Sequence, residues 1–261
     1  MRGGQASEQS QSVEVLNPQG AGAVVLLCEH ASRHIPSRYE GLGVTEDVRN
    51  SHAAWDPGAR AMSLLMSRVL DAPLVASCVS RLVYDCNRPP EAAAAMPETS
   101  EIYEIPGNRG LSQAARTERI DAVYRPFCEA VTNIVDSRQA AGMSTVIVTL
   151  HSFTPVYFGA PRAVEIGILH DDDARLADAM LANSHLLPHR RIERNEPYGP
   201  GDGVTHSLKL HAQSRGLPNV MLEVRNDLLR SPADEDTMAR ELLTLLEPAL
   251  ATLSSMEVGR D

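Results

Sequence analysis

The chain has 261 residues, 24 basic and 34 acidic side chains, a net charge of −10 and 43% hydrophobic content. That length fits one large domain or two small ones, and the apolar share supports a sizeable core. The negative balance argues against nucleic acid or an anionic membrane as the main partner, but a local group of arginines can still hold a small anion.

Residues 1–12 are polar and rich in Gly, Ser and Gln, which predicts a disordered tail ahead of a single domain over 13–261. They lack the apolar segment of a secretory signal, and no later stretch is long enough to span a bilayer. Cys28, Cys78, Cys86 and Cys128 are scattered without a CxxC pair, as expected of free thiols in a reducing compartment. A cytoplasmic location is the resulting expectation.

The first predicted strand, 23–28, ends at Glu29 and His30. Asp56-Pro57 reads as an N-cap followed by proline at the first helical position, with Met62, Leu65, Met66 and Val69 along the inner face. A second strand, 74–79, runs into Ser80–Pro89, and residues 88–111 form a long proline- and alanine-rich loop. Ser112 opens a helical pattern through Ile120, Val123, Phe127, Val131 and Ile134, which Pro126 is expected to kink or split.

Strands over 145–150, which ends at His151, and 163–169 follow; a helix after Asp173 carries Leu176, Met180 and Leu181. Turn formers crowd 194–204. The strand 219–224 delivers Glu223 and Arg225, and Ser231-Pro232 opens a last helix with Met238, Leu242, Leu245 and Leu246 inside. Apolar runs without polar alternation suit strands covered on both faces, so alternation with helices predicts an α/β layered domain.

In such a sheet the C-terminal strand ends open onto the ligand crevice. His30 and His151 both stand there, and imidazole is a preferred zinc ligand, although no HExxH spacing is present. A catalytic zinc takes a third protein ligand, for which Asp56 and Glu29 are the candidates. Asp56 is favoured because a carboxylate at a helix start can sit in the crevice. Strand alternation turns Glu29 to the face opposite His30.

Glu223 is placed to act as general base, with an ion pair to Arg225 as the competing reading. Arg81, Asn87 and Arg88 gather two guanidiniums and an amide after a strand, a pattern suited to a carboxylate or an oxyanion. His206 and His211 fall on different faces of any helix; His206 reads as a surface residue and His211 is left open. Asp171-Asp172-Asp173 reads as a solvated turn and helix cap.

The segments CEHASRHIP (28–36), HAAWDPGA (52–59), SRLVYDCNRP (80–89), IPGN (105–108), LHSFTPV (150–156), NEPYG (195–199) and EVRNDL (223–228) resemble the N-formylglutamate amidohydrolases. That family lies within a wider group of zinc-dependent, carboxypeptidase-like and aspartoacylase-like hydrolases. The resemblance implies a three-layer α/β/α sandwich around a mixed, mostly parallel sheet. It matches His30 and His151 to metal-binding histidines and Glu223 to the general base. It also implies that Asp85-x-Asn87-Arg88 grips the substrate carboxylate and that Arg81 polarises the scissile carbonyl.

One departure stands out: the wider group has a His-x-x-Glu motif, and here Arg33 holds the Glu position. The expectation is a single-zinc amidohydrolase acting on a small anionic N-acyl amino acid, N-formyl-L-glutamate above all, with a place in histidine catabolism. Its metal ligands are His30, Asp56 and His151, with Ser152, Asn195 and Arg225 beside Asn87 and Arg88 around the substrate. A monomer or small homo-oligomer is expected. A deacylase or carboxypeptidase for larger substrates and a non-catalytic ligand-binding descendant are the alternatives.

Overall fold

A computed structural model describes residues 12–258. The expected tail lies outside these residues except for Ser12, whose carbonyl accepts from Cys78 N at 2.8 Å. Seven strands form the main sheet: β1 (Val13–Leu16), β2 (Val24–Cys28), β3 (Leu74–Ser77), β4 (Val146–Phe153), β5 (Ile166–Leu169), β6 (Ile192–Arg194) and β7 (Asn219–Arg225). Their spatial order is β1-β3-β2-β4-β7-β5-β6.

Strands β3, β2, β4 and β7 run parallel, whereas β1 is antiparallel to β3 and β5 antiparallel to β7. The sheet is therefore mixed, as expected. The two strands missing from the sequence reading, β1 and β6, are the short edge strands. Edges need no apolar run, and β6 reads Ile-Glu-Arg.

Alternation along the central strands sends their side chains into two cores. Leu26, Val148 and Leu222 pack on one face with α1 (Ala59–Val69), α4 (Arg175–Ala182) and α5 (Pro232–Val258). Val25, Leu27 and Ile147 face the other way, toward α3 (Arg125–Ala140) and Leu82, Val83 and Tyr84. These are the three layers. Among the described residues no helix is long and apolar enough to cross a membrane.

Two local expectations change and a third is refined. Asp56 does not cap α1; Gly58 does, at φ 81°, and the Asp56 carboxylate turns into the site instead. Val69 is exposed at the helix end rather than buried. Of the kink or split expected at Pro126 the structure has the split: α2 (Gln113–Arg119) passes through a π-turn, Ile120–Tyr124, into α3. Pro126 cannot donate to Ala122, and the π-turn relaxes that four-residue bonding pattern just ahead of it. Pro248 lies inside α5 and costs about 3 kcal/mol there. Leu245, Leu246 and Leu253 are buried around it, and at about 1.5–3 kcal/mol each they carry the helix through.

His211 is 2% exposed within a second π-turn, Leu208–Ala212, and its Nδ1 has no hydrogen-bond partner among the described residues. Burial pulls its pKa down from 6.5 to about 4. The unfolded chain therefore takes up a proton before the folded one, so stability falls as pH drops from 6.5 towards 4. The loss amounts to roughly 3 kcal/mol. His211→Phe is expected to flatten that part of the profile: urea midpoints at pH 7 and pH 4.5 should move closer together than in the wild type. An unchanged gap would show that His211 does not carry the acid sensitivity.

Candidate active site: a buried His-His-Asp centre in an arginine-lined cavity

Strands β2 and β4 end side by side, and this registers the first residues of the site. Leu27 pairs with Thr149, so continuing that register sets Glu29 beside His151. On the other flank Glu223 pairs with His151 across β7 and β4. Glu29, just past the end of β2, and Glu223 on β7 thus flank His151 from its two sides, and His30 follows Glu29 in the turn. The Asp56 carboxylate, brought in by the turn before α1, closes the centre between the histidines.

Asp56 Oδ2 lies 3.1 Å from His30 Nδ1 and 2.9 Å from His151 Nδ1, and the two Nδ1 atoms are 3.1 Å apart. Each outer nitrogen meets a different carboxylate. His30 Nε2 donates to Asp85 Oδ1 at 2.7 Å. His151 Nε2 lies 3.3 Å from Glu29 Oε2, an ion-pair distance without aligned hydrogen-bond geometry. A proton on each Nε2 leaves both Nδ1 lone pairs aimed at one point beside Asp56, the arrangement that outer carboxylates impose on metal-ligating histidines.

This donor set fits a divalent cation. Tetrahedral zinc with bonds of about 2.0–2.1 Å puts its ligand atoms roughly 3.3 Å apart, close to the separations here. The charge balance agrees. Glu29, Asp56, Asp85 and Glu223 are all buried. Arg81 is the guanidinium that meets them, through Asp85 Oδ2 at 2.6 Å and Asp56 Oδ1 at 3.4 Å.

The histidines answer this surplus of carboxylates. Burial and Arg81 push His30 down, yet Asp85 and Asp56 outweigh them and leave it above its ordinary value. Burial likewise opposes Glu29 and Asp56 at His151, which ends well above its ordinary range. Burial pushes the Glu223 carboxyl up to about 7, against the pull of His151 and with help from Asp56. Its Oε2 has no hydrogen-bond partner among the described residues.

A cavity of about 510 Å³ opens over this centre. His30, Asp56, Arg81, Asn87, Arg88, His151, Ser152 and Glu223 reach it, as do Ser100 and Glu101 from the long loop. Several expected roles shift. Asn87 lines the cavity with both amide atoms engaged: Nδ2 donates to Val204 O at 2.5 Å and Oδ1 accepts from Ser207 N at 3.0 Å. Asp85 holds His30 and Arg81 rather than facing substrate. Arg88 donates to Gly203 O and Asn87 O from one terminal nitrogen. The Ser152 hydroxyl donates to Pro57 O at 2.7 Å.

Asn195 and Arg225 do not line the cavity. Asn195 Oδ1 accepts from His170 N at 2.9 Å, and Arg225 pairs with Asp227 at 2.7 Å. Glu223 is therefore free of the ion pair considered for it. Arg33 turns away to Asn50 and the Trp55 ring, far from any ligand role. Residues the sequence reading passed over are Arg162, Tyr157 and Tyr198, which also line the cavity. Tyr198 lay within the NEPYG segment; Arg162 carried no pattern that would single it out.

An open α/β sheet with a His-His-Asp cluster, a buried carboxyl and cavity arginines at its strand ends defines a hydrolase-type scaffold. The sequence profile of the N-formylglutamate amidohydrolases matches residues 22–230. The chain belongs to the N-formylglutamate amidohydrolase family. A crystal structure of a gene product from Agrobacterium tumefaciens is 53% identical, with a TM-score of 0.92 over 94% of this chain and 97% of that one. The crystal structure of an N-formylglutamate amidohydrolase from Ralstonia eutropha shares the fold at 20% identity, TM-score 0.68, over 94% and 99% of the two chains. No curated protein is significantly similar to the chain.

Proposed function

We propose that this protein is a zinc-dependent amidohydrolase that cleaves N-formyl-L-glutamate to L-glutamate and formate. The observation that carries the reading is the meeting of both Nδ1 atoms with Asp56 Oδ2, beside a buried carboxyl held near neutrality. His30, Asp56 and His151 would hold the ion, with Glu29 and Asp85 fixing the imidazoles from behind. Bound zinc supplies a Lewis acid and makes a water more acidic.

The chain's own groups complete the reaction. Glu223, ionised, takes the proton of the attacking water as its oxygen adds to the formyl carbon. The same carboxyl then passes that proton to the amide nitrogen as the C–N bond breaks, releasing formate and the free amine. Arg81, steered by Asp85 and Asp56, donates to the carbonyl oxygen as it gains charge. Arg88, pinned to the 203–204 turn, offers its remaining N–H groups to the α-carboxylate, in place of Asn87.

Elemental analysis and a formate assay test this reading. About one zinc per chain, and formate released from N-formyl-L-glutamate only when zinc is present, are expected. Turnover that survives complete removal of metal would overturn the zinc assignment. Formate release from no N-formyl amino acid would overturn the reaction.

A further inference from the structure

The cavity that Arg81 and Arg88 line also holds a third arginine, Arg162, with no carboxylate partner among the described residues. Arg162 follows the hairpin of Val156–Tyr157 and Ala160–Pro161 that extends beyond β4. Its guanidinium carbon stands 4.3 Å from the Tyr157 ring centroid, 4.6 Å from Tyr198 and 5.6 Å from Phe153. Nη1 donates to the Tyr198 hydroxyl at 2.8 Å. Among the described residues no Asp or Glu lies within ion-pair distance of it, although the cavity also holds Asp56, Glu101, Asp202 and Glu223.

The backbone of Arg162 is pinned as well. Arg225 Nη1 donates to Arg162 O at 3.1 Å, and Arg162 N donates to Pro155 O at 2.8 Å. Three rings fix the plane of the guanidinium, which leaves the edge of its fork for a ligand. A guanidinium so stacked keeps its charge and its bidentate geometry, the two properties that recognise a carboxylate.

We propose that Arg162 is the specificity residue for a second carboxylate: it receives the side-chain carboxylate of an acidic N-acyl amino acid while Arg88 holds the α-carboxylate. The assignment rests on the amidohydrolase reading of this cavity. It explains the three-ring clamp, which an arginine merely facing solvent would not need. It also gives Arg225 a task, as the positioning residue that ties the Arg162 backbone to the end of β7.

The test compares N-formyl-L-glutamate with N-formyl-L-glutamine on zinc-supplemented wild type, Arg162→Gln and Arg162→Lys, with folding checked by Tm. Loss of a charge-assisted bidentate contact should lower kcat/KM for the dicarboxylate by roughly 10- to 100-fold, mainly through KM. The glutamine analogue should change little, and Arg162→Lys should fall between. An equal fall for both substrates, or undiminished preference for glutamate in Arg162→Gln, would overturn the assignment.

Should neither substrate turn over, calorimetry with the amino acids L-glutamate and L-glutamine on the same proteins decides it separately. A wild-type preference for glutamate that Arg162→Gln abolishes upholds the subsite even where the proposed reaction fails. No such preference in the wild type overturns it.

Discussion

Replacing Glu223 with glutamine is expected to lower kcat for N-formyl-L-glutamate by about 10²–10⁴-fold, the span typical of a lost general acid–base group. Glutamine keeps the volume and can still accept a hydrogen bond, but it cannot carry the proton from water to the leaving nitrogen. The site makes this a clean substitution. Glu223 Oε2 has no hydrogen-bond partner among the described residues, so no salt bridge is broken when the charge is removed. Burial lifts this carboxyl to about 7, so its ionised form opposes folding as pH rises from 4.5 towards 7, and the neutral amide removes that opposition. Zinc content by elemental analysis should stay near wild type, and Tm at neutral pH should hold or rise. A glutamine variant that retains zinc and hydrolyses at the wild-type rate would remove Glu223 from the mechanism.

Asp56→Asn is expected to weaken zinc binding more than Glu29→Gln does. Glu29 backs a ligand, and losing such an outer partner typically costs about 10–100-fold in metal affinity. Asp56 would supply both a ligand atom and the negative charge that both imidazoles share. Competition against a chelator measures the two dissociation constants directly. Stability gives a second readout, because a ligand that binds only the folded state adds about 2.7 kcal/mol at a hundredfold excess over Kd. Wild-type Tm should therefore climb with zinc, and the Asp56→Asn value should hardly move. If Asp56→Asn bound zinc as tightly as wild type and Glu29→Gln did not, Glu29 would be the third ligand.

The parts of this site that were legible in the sequence are those attached to strong local patterns. His30, His151 and Glu223 end apolar runs long enough to read as strands, so the sheet brings them to one edge. The register of β2 and β4 sets Glu29 against the far nitrogen of His151, not at the point where the two Nδ1 atoms meet Asp56.

Other features depend on contacts between distant segments, which residue type cannot reveal. Asp56 fits an N-cap by composition, but Gly58 takes the cap and the carboxylate turns inward. Asn87 and Arg225 look like ligands for an anion, yet their polar atoms are used by Val204, Ser207 and Asp227. Arg162 gains its meaning only from three rings that the chain supplies from 153, 157 and 198. The edge strands and both π-turns were missed as well: the Val-Glu-Val-Leu alternation of β1 is only four residues long, β6 has a single apolar side chain, and the first π-turn carries the apolar spacing of the helices it joins.

The buried carboxyl groups have a consequence for the history of the fold. Keeping Glu29, Asp56, Asp85 and Glu223 away from water opposes folding wherever their partners are imperfect. Apolar replacements of similar volume would relieve that opposition at once. A lineage released from chemistry would drift toward them, because substitutions that trade activity for stability are readily found. Packing alone gives no reason for four acids in so enclosed a place, whereas a centre that holds a cation and moves a proton gives each of them one.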